Sequence, residues 1–144
     1  LGGSLSSGRH LSFTPRLELA KWLVQNYDVH AMMDVSDGLA IDLHRMMEAS
    51  KTGADVLADA VPIHSDVSSR DRGSALLHAL SDGEDFELLL AMSQDDFEAL
   101  NRDDERRQDF HRIGIVCKGR RCQLIDGNGH TTALHVAGWQ HKIS

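Results

Sequence analysis

The chain has 144 residues and a formal net charge of −7 at pH 7, with 41% hydrophobic and 26% charged residues. This balance is typical of one globular domain with a hydrophobic core. Arginine and lysine are scattered among the acids, which argues against a nucleic-acid partner because binding to a phosphate backbone needs a basic face. No apolar run reaches transmembrane length and no signal peptide is recognisable, so we expect no membrane partner and a cytoplasmic location.

The first residues predict a linker followed by a helix. Residues 1–8 are rich in glycine and serine and contain no methionine. We therefore expect residues 1–13 to be a linker from a longer protein, followed by one domain over residues 14–144. Thr14 and Pro15 are typical of a helix N-cap and first helical position, and apolar residues continue at helical spacing to about Asn26.

An acidic strand-to-helix turn is the most informative stretch of the sequence. Residues 31–33 predict a buried strand, and residues 39–49 have the spacing of an amphipathic helix. Asp34, Ser36 and Asp37 lie between them, where free backbone N–H groups and the helix dipole suit an anionic ligand. The carboxylates of Asp34 and Asp37 have the chemistry to hold Mg2+. The alternative is that Ser36 or Asp37 only caps the helix.

A second acidic turn precedes a longer apolar run. Residues 81–85 contain three acids and lead directly into residues 86–92, which predict a central strand. Carboxylates beside a buried strand need compensation from a metal, a cationic ligand or N–H donors. The alternative is an acidic turn in water.

The remaining elements are shorter. Between the two acidic turns, we predict a helix stop with a left-handed glycine at 53, strands at 54–57 and 60–63, a loop at 64–72 and a helix at 74–80. After them, we predict a helix capped by Ser93 and strands at 110–116, 121–125 and 131–136, with a hairpin turn at 126–129.

The composition of these elements favours a mixed architecture. Strands and helices are mixed along the chain and do not strictly alternate, so the predicted fold class is α+β, a sandwich with a mixed sheet. Cys117 and Cys122 are expected to face each other across a hairpin as free thiols rather than to bind metal. Trp139 is either a core plug or a flat surface for a ring ligand. The sequence contains no glycine-rich nucleotide loop and no nucleophile elbow, and we assign no catalytic residue.

Four motifs follow one another in a specific order. They are Gly8-Arg9-His10-Leu11 with Thr14-Pro15-Arg16, Met33-Asp34-Val35-Ser36-Asp37-Gly38-Leu39 with Asp42-Leu43, Ala79-Leu80-Ser81-Asp82-Gly83-Glu84-Asp85-Phe86-Glu87-Leu88, and Gly138-Trp139-Gln140-His141. This series resembles the C-terminal half of the thiamine-monophosphate kinase family, within the superfamily that includes aminoimidazole ribonucleotide synthetase. The sequence departs from the family at Asp82, where the family usually has a glycine. The resemblance covers almost the whole chain and implies an α/β/α sandwich with a mixed sheet.

The resemblance also implies an activity and roles for individual residues. The activity is ATP-dependent phosphorylation of thiamine phosphate to thiamine diphosphate, with several Mg2+ ions. Asp34 and Asp37 would ligate Mg2+, Ser36 would contact ATP, and Glu84 and Trp139 would bind thiamine phosphate. These roles agree with the chemistry, since phosphoryl transfer needs positioning and charge neutralisation. An acid and an aromatic ring also suit a cationic thiazolium.

The family pattern further implies what the chain does not supply. In this family the N-terminal half carries most of the ATP site, further magnesium ligands and the main dimer contacts. Residues 1–13 would then link to a missing N-terminal ATP-binding domain, the full-length protein would be a homodimer, and the isolated chain would be inactive. Two alternatives remain: another enzyme of the superfamily with a different substrate, and a non-catalytic association domain whose acids only cap helices and turns.

Overall fold

The computed structural model describes residues 1–3, 11–67, 72–103, 106 and 109–135. Within this part of the chain no helix is long and apolar enough to cross a membrane. The helices and strands, in chain order, are α1 (Leu17–Asn26), β1 (Val29–Val35), α2 (Leu39–Ser50), β2 (Gly53–Leu57), a 3-10 turn (Ala58–Ala60), α3 (Arg72–Ser81), β3 (Glu87–Met92), α4 (Gln94–Leu100), β4 (Gly114–Cys117), β5 (Cys122–Ile125) and β6 (Thr131–Ala133).

The described strands form two sheets. Strands β1 and β3 pair antiparallel, and the second sheet has the order β4-β2-β5-β6. Within the second sheet β2 and β5 run parallel and the other neighbours run antiparallel. The predicted mixed α/β architecture with a mixed sheet is therefore confirmed. The prediction of a central strand at 86–92 is wrong for the described residues, because β3 pairs with β1 alone and only Leu89 in it is buried.

Helix α2 carries the centre of the core. Leu39, Leu43, Met46 and Met47 are buried at the helical spacing that the sequence predicts, and they pack in one cluster with residues of both sheets. Burying a side chain of this size contributes about 1.5–3 kcal/mol. Since α2 contacts β1, β2 and α3, it holds the elements that flank the two acidic turns in fixed positions.

Two predicted helix ends lie elsewhere. Helix α1 begins at Leu17 with Arg16 in the N-cap position and no side-chain cap, so Thr14 is not its N-cap. At the end of α2 it is Lys51, with φ of 56°, that takes the left-handed conformation. Gly53 instead begins β2, where a Cβ would lie 2.3 Å from the carbonyl oxygen of Arg121.

Most other local predictions are confirmed in part. Ser93 caps α4 by accepting the Asp96 N–H at 3.1 Å. The turn after β5 is a hairpin, closed by the Asp126 N–H donating to the His130 carbonyl at 3.0 Å. The backbone N–H of His130 also holds the pKa of Asp126 below its usual value. Residues 61–63 form no strand, because the 3-10 turn follows β2 directly.

Strand β2 separates the two cysteines. Cys117 in β4 pairs with Gly53, and Cys122 in β5 pairs with Ala54. The prediction that the cysteines face each other across a hairpin is wrong, because β2 lies between them. Consecutive residues of a strand point to opposite faces, so the two thiols lie on opposite faces of the sheet. Burial raises the pKa of the Cys122 thiol above its ordinary value.

Candidate functional site

The structure brings the two acidic turns together. Strands β1 and β3 pair in register up to the ends at which the turns begin. Beyond the last pair, the Glu84 N–H donates to the Ser36 carbonyl at 2.7 Å. Residues 34–38 and residues 82–86 therefore form one hydrogen-bonded unit, which we call the acidic double turn. Asp34, Ser36, Asp37 and Glu84, which the sequence places in two separate segments, all lie on it.

Gly83 allows the close approach of the two segments. A Cβ at this position would lie 2.7 Å from the carbonyl oxygen of Ser36, a distance that real Cβ atoms essentially never show. We expect Gly83→Ala to lower the free energy of unfolding by about 1–3 kcal/mol, because the backbone must shift. Urea denaturation measures this change. In the control Gly127→Ala, the added Cβ meets only the movable carboxylate of Asp59, and we expect a change within about 0.5 kcal/mol. Equal effects of the two changes would contradict the tight packing of the double turn.

The second segment of the double turn has an unusual backbone. Glu84 and Phe86 have φ of 65° and 52°, in the left-handed region that side chains other than glycine rarely adopt. Such residues cost about 1–3 kcal/mol each and persist where their surroundings hold them. The Phe86 ring stacks on Phe13 with centroids 4.1 Å apart, and the buried Asp85 carboxylate accepts the Gly2 N–H at 3.0 Å. The exposed Glu84 side chain is thus presented from a backbone that is held on both sides.

Asp82, which replaces the usual glycine of the resembled family, fits this backbone without strain. It is not among the described residues with positive φ. Its N–H donates to the carbonyl of His78 at 2.9 Å, and its carboxylate contacts Nδ1 of the same histidine at 2.9 Å. The backbone at Asp82 therefore does not require a glycine.

The N-terminus of α2 is built differently from the simple cap that the sequence leaves open. Gly38, with φ of 118°, occupies the N-cap position, and no side chain caps the helix. Neither Ser36 nor Asp37 is the helix cap, and that alternative is wrong. Helix capping therefore does not explain why Ser36 and Asp37 occur at these positions.

Asp42 supports the backbone of the acidic double turn, a role that the sequence analysis did not predict. Its side chain is fully buried, and its Oδ2 accepts the N–H groups of Ser36 and Asp37, each at 2.9 Å. The expectation that these N–H groups are free for an anionic ligand is therefore wrong. The sequence does contain a signal for this role. Asp42 lies three residues after Leu39, on the apolar side of the predicted helix, where an acid must be hydrogen-bonded to be buried.

Asp37 and Asp42 both accept hydrogen bonds from Arg45. Arg45 donates from Nη1 to the Asp37 carboxylate and, at 2.8 Å, to Oδ1 of Asp42. The hydrogen bond to Asp37 is the main cause that raises the pKa of Arg45 above its ordinary value. Asp37 is thus half-buried and paired, while its backbone is fixed by Asp42.

Asp34 lies in the opposite situation. It is exposed on β1, on the face opposite the buried Val35, and its carboxylate has no hydrogen-bond or ion-pair partner within the described part of the chain. Ser36 is half-buried. Trp139 lies outside the residues that the structure describes, so its predicted role stays a prediction.

The donor set fits Mg2+ only in company with a ligand. Among the described residues there is no group of three or more histidine, cysteine, aspartate or glutamate side chains that could hold a metal ion. Mg2+ is commonly bound by one or two carboxylates together with water and substrate phosphates. Asp34 and Asp37 can supply such a pair, provided that the cation displaces Arg45 from Asp37.

The candidate residues lie on the surface rather than in the interior cavity. A cavity of about 670 Å3 is lined by residues of α2 and of both sheets, and none of Asp34, Ser36, Asp37 or Glu84 lines it. Its walls include Leu43, Met46, Leu88, Leu90 and Ile113. The acidic double turn is therefore a surface site with an acidic character that favours cations.

Comparisons with known proteins identify the family of the chain. The sequence matches the family model "AIR synthase related protein, C-terminal domain" over residues 6–127. A thiamine-monophosphate kinase of Rhodopirellula baltica is 46% identical over 99 residues, covering 67% of this chain and 31% of the relative. A thiamine-monophosphate kinase of Bacillus subtilis is 35% identical over 141 residues, covering 92% of this chain and 41% of the relative.

A solved structure shows the same fold. The structure of AaThiL complexed with AMPPCP and TMP superposes with a TM-score of 0.72 at 25% identity, over 92% of this chain and 40% of that chain. The chain thus spans less than half the length of these relatives. Since the family model covers most of its residues, the chain belongs to the AIR synthase related protein, C-terminal domain family.

Proposed function

We propose that the chain is the substrate-side C-terminal domain, over residues 14–144, of a kinase that transfers a phosphoryl group from ATP to thiamine phosphate and forms thiamine diphosphate. The single observation that carries this proposal is the acidic double turn, in which two exposed acids, Asp34 and Glu84, lie on backbone-bonded segments. The proposal is supported by the similarity to proteins named thiamine-monophosphate kinase.

In this proposal two residues bind the divalent cation. The carboxylates of Asp34 and Asp37 hold Mg2+, which when bound neutralises phosphate charge. Asp42 keeps the backbone of Asp37 in place by accepting its N–H at 2.9 Å. A group held in this way loses little freedom when it binds, which is how positioning lowers a barrier.

Three further residues contact ATP or thiamine phosphate. Ser36 contacts ATP from its place next to the cation-binding acids. Glu84 binds thiamine phosphate, where its negative charge faces the cationic ring, and Trp139 contributes an aromatic face. The left-handed backbone at Glu84, with φ of 65°, supports this role because backbone strain of this kind is concentrated at ligand sites.

We also propose that a second domain completes the catalytic site. The chain covers 24–41% of the length of the first relatives, so the other part of the ATP site and further cation ligands would come from an N-terminal domain joined through residues 1–13. We propose a homodimeric full-length protein whose subunits meet through that domain. A cytoplasmic location is supported by the free thiols of Cys117 and Cys122.

Kinetics of a Glu84→Gln variant of the full-length protein test the proposed substrate. Glutamine keeps the size of the side chain and removes the charge. We expect KM for thiamine phosphate to rise about 30-fold or more, which corresponds to about 2 kcal/mol or more, while KM for ATP stays within about twofold. The matched control is Glu98→Gln on the exposed surface of α4, with both constants unchanged.

The same assay separates the alternatives. If Glu84→Gln turns over thiamine phosphate as the unsubstituted protein does, the proposed role of Glu84 fails, and an equal result for Asp34→Asn would support a non-catalytic role for the double turn. If aminoimidazole-type nucleotides compete with thiamine phosphate and bind more tightly, the protein is a different enzyme of the superfamily.

A further inference from the structure

Arg45 lies at the edge of the acidic double turn and joins Asp37, which belongs to that turn, to Asp42 of α2. One nitrogen, Nη1, donates both to Asp37 and to Asp42. The Asp42 side chain is completely buried, whereas the side chains of Arg45 and Asp37 are 51% and 33% exposed. The guanidinium is therefore anchored on a buried acid and reaches a second acid that faces solvent.

The contact of Arg45 with Asp37 is easier to replace by another cation than its contact with Asp42. Asp42 is fixed, because its other oxygen accepts two backbone N–H groups at 2.9 Å. The contact with Asp37 is open to water, and such an ion pair contributes little net free energy. A cation that approaches the Asp37 carboxylate therefore competes with Arg45 for the same negative charge, while the contact with Asp42 persists.

We propose that Arg45 is a built-in competitor of the divalent cation at Asp37, and that it sets the cation affinity of the acidic double turn. The inference rests on the proposed function, because it takes Asp37 as a Mg2+ ligand. Two positive charges a few ångströms apart repel each other, so the cation binds more weakly while the guanidinium remains beside Asp37. By linkage, a bound cation weakens the contact between Arg45 and Asp37 by the same factor. Arg45 is thus a positioning residue rather than a catalytic one.

The test is a titration of the chain with Mn2+ as the probe, in the presence of thiamine phosphate throughout, followed by NMR. Paramagnetic broadening of the Ser36 and Asp37 amide signals reports the dissociation constant at this site without any measurement of activity. We expect Arg45→Gln to lower that constant about three- to tenfold, since a competing charge is removed. Arg45→Lys keeps the charge and should stay within about twofold of the unsubstituted chain.

Two further variants complete the design. Arg72→Gln is the matched control, because Arg72 also forms an exposed ion pair, with Asp59, at the far end of α3. It removes the same charge and should leave the constant unchanged. Asp37→Asn removes the proposed ligand and should abolish the broadening, both as a single change and in combination with Arg45→Gln.

The outcomes distinguish the inference from the function on which it rests. If Asp37→Asn binds Mn2+ at this site as the unsubstituted chain does, the proposed role of Asp37 fails. If Asp37→Asn loses binding but Arg45→Gln binds Mn2+ no more tightly, the role of Asp37 stands and the competition is overturned. An increase in affinity with Arg45→Gln, but not with Arg72→Gln, supports the competition.

Discussion

Replacing Asp34 by asparagine in the full-length protein is expected to lower kcat/KM for thiamine phosphate phosphorylation about 30- to 1000-fold. This range corresponds to about 2–4 kcal/mol of lost transition-state stabilisation, the usual cost of removing one preorganised electrostatic contact. The free energy of unfolding should change by less than about 0.5 kcal/mol, because the side chain is exposed. Steady-state kinetics and urea denaturation of the same preparation measure the two quantities.

The contrast between activity and stability makes this variant informative. Asp34 has no partner within the described residues, so a purely structural role predicts no effect of any kind. The matched control is Asp28→Asn, an exposed acid just before β1, at about 20 Å from Asp34 along the extended chain. An Asp34→Asn enzyme as active as the control would show that Asp34 holds no catalytic cation.

Asp42→Asn has the largest expected effect on stability. The carboxylate is fully buried and accepts two backbone N–H groups and Arg45. Asparagine offers only one acceptor oxygen, so at least one of these donors loses its partner in a place that water reaches poorly. We expect the free energy of unfolding to fall by about 2–4 kcal/mol, measured by urea denaturation at constant m-value.

The control for Asp42 is an exposed acid in the first turn of another helix. Asp95 lies in the first turn of α4 and is exposed, so Asp95→Asn removes only its interaction with the helix dipole. We expect a loss of about 0.3–1 kcal/mol for that change. Similar losses for the two variants would mean that Asp42 acts through the dipole alone and does not hold the double turn together.

Local features of the sequence predict much of this fold. The spacing of Leu39, Leu43, Met46 and Met47 predicts the buried face of α2, and Ser93 predicts the start of α4. Both signals act within a few residues and depend on helix geometry alone. The presence of acids in two turns is equally visible, because turn chemistry is local.

The relation between the two turns is not local, and it explains what the sequence leaves open. The bond between Glu84 and Ser36 depends on the register of β1 and β3, which lie about fifty residues apart. The insertion of β2 between Cys117 and Cys122 depends on sheet order in the same way. The left-handed backbone of Glu84 follows from its surroundings, since glutamate has no preference for it.

The proposed function is tested most directly by a crystal structure of the full-length protein grown with thiamine phosphate and Mn2+. We expect an anomalous Mn2+ peak within coordination distance of carboxylate oxygens of Asp34 and Asp37, with the ligand ring against Glu84. A Mn2+ peak and a ligand that both lie away from residues 34–38 and 82–86 would contradict it.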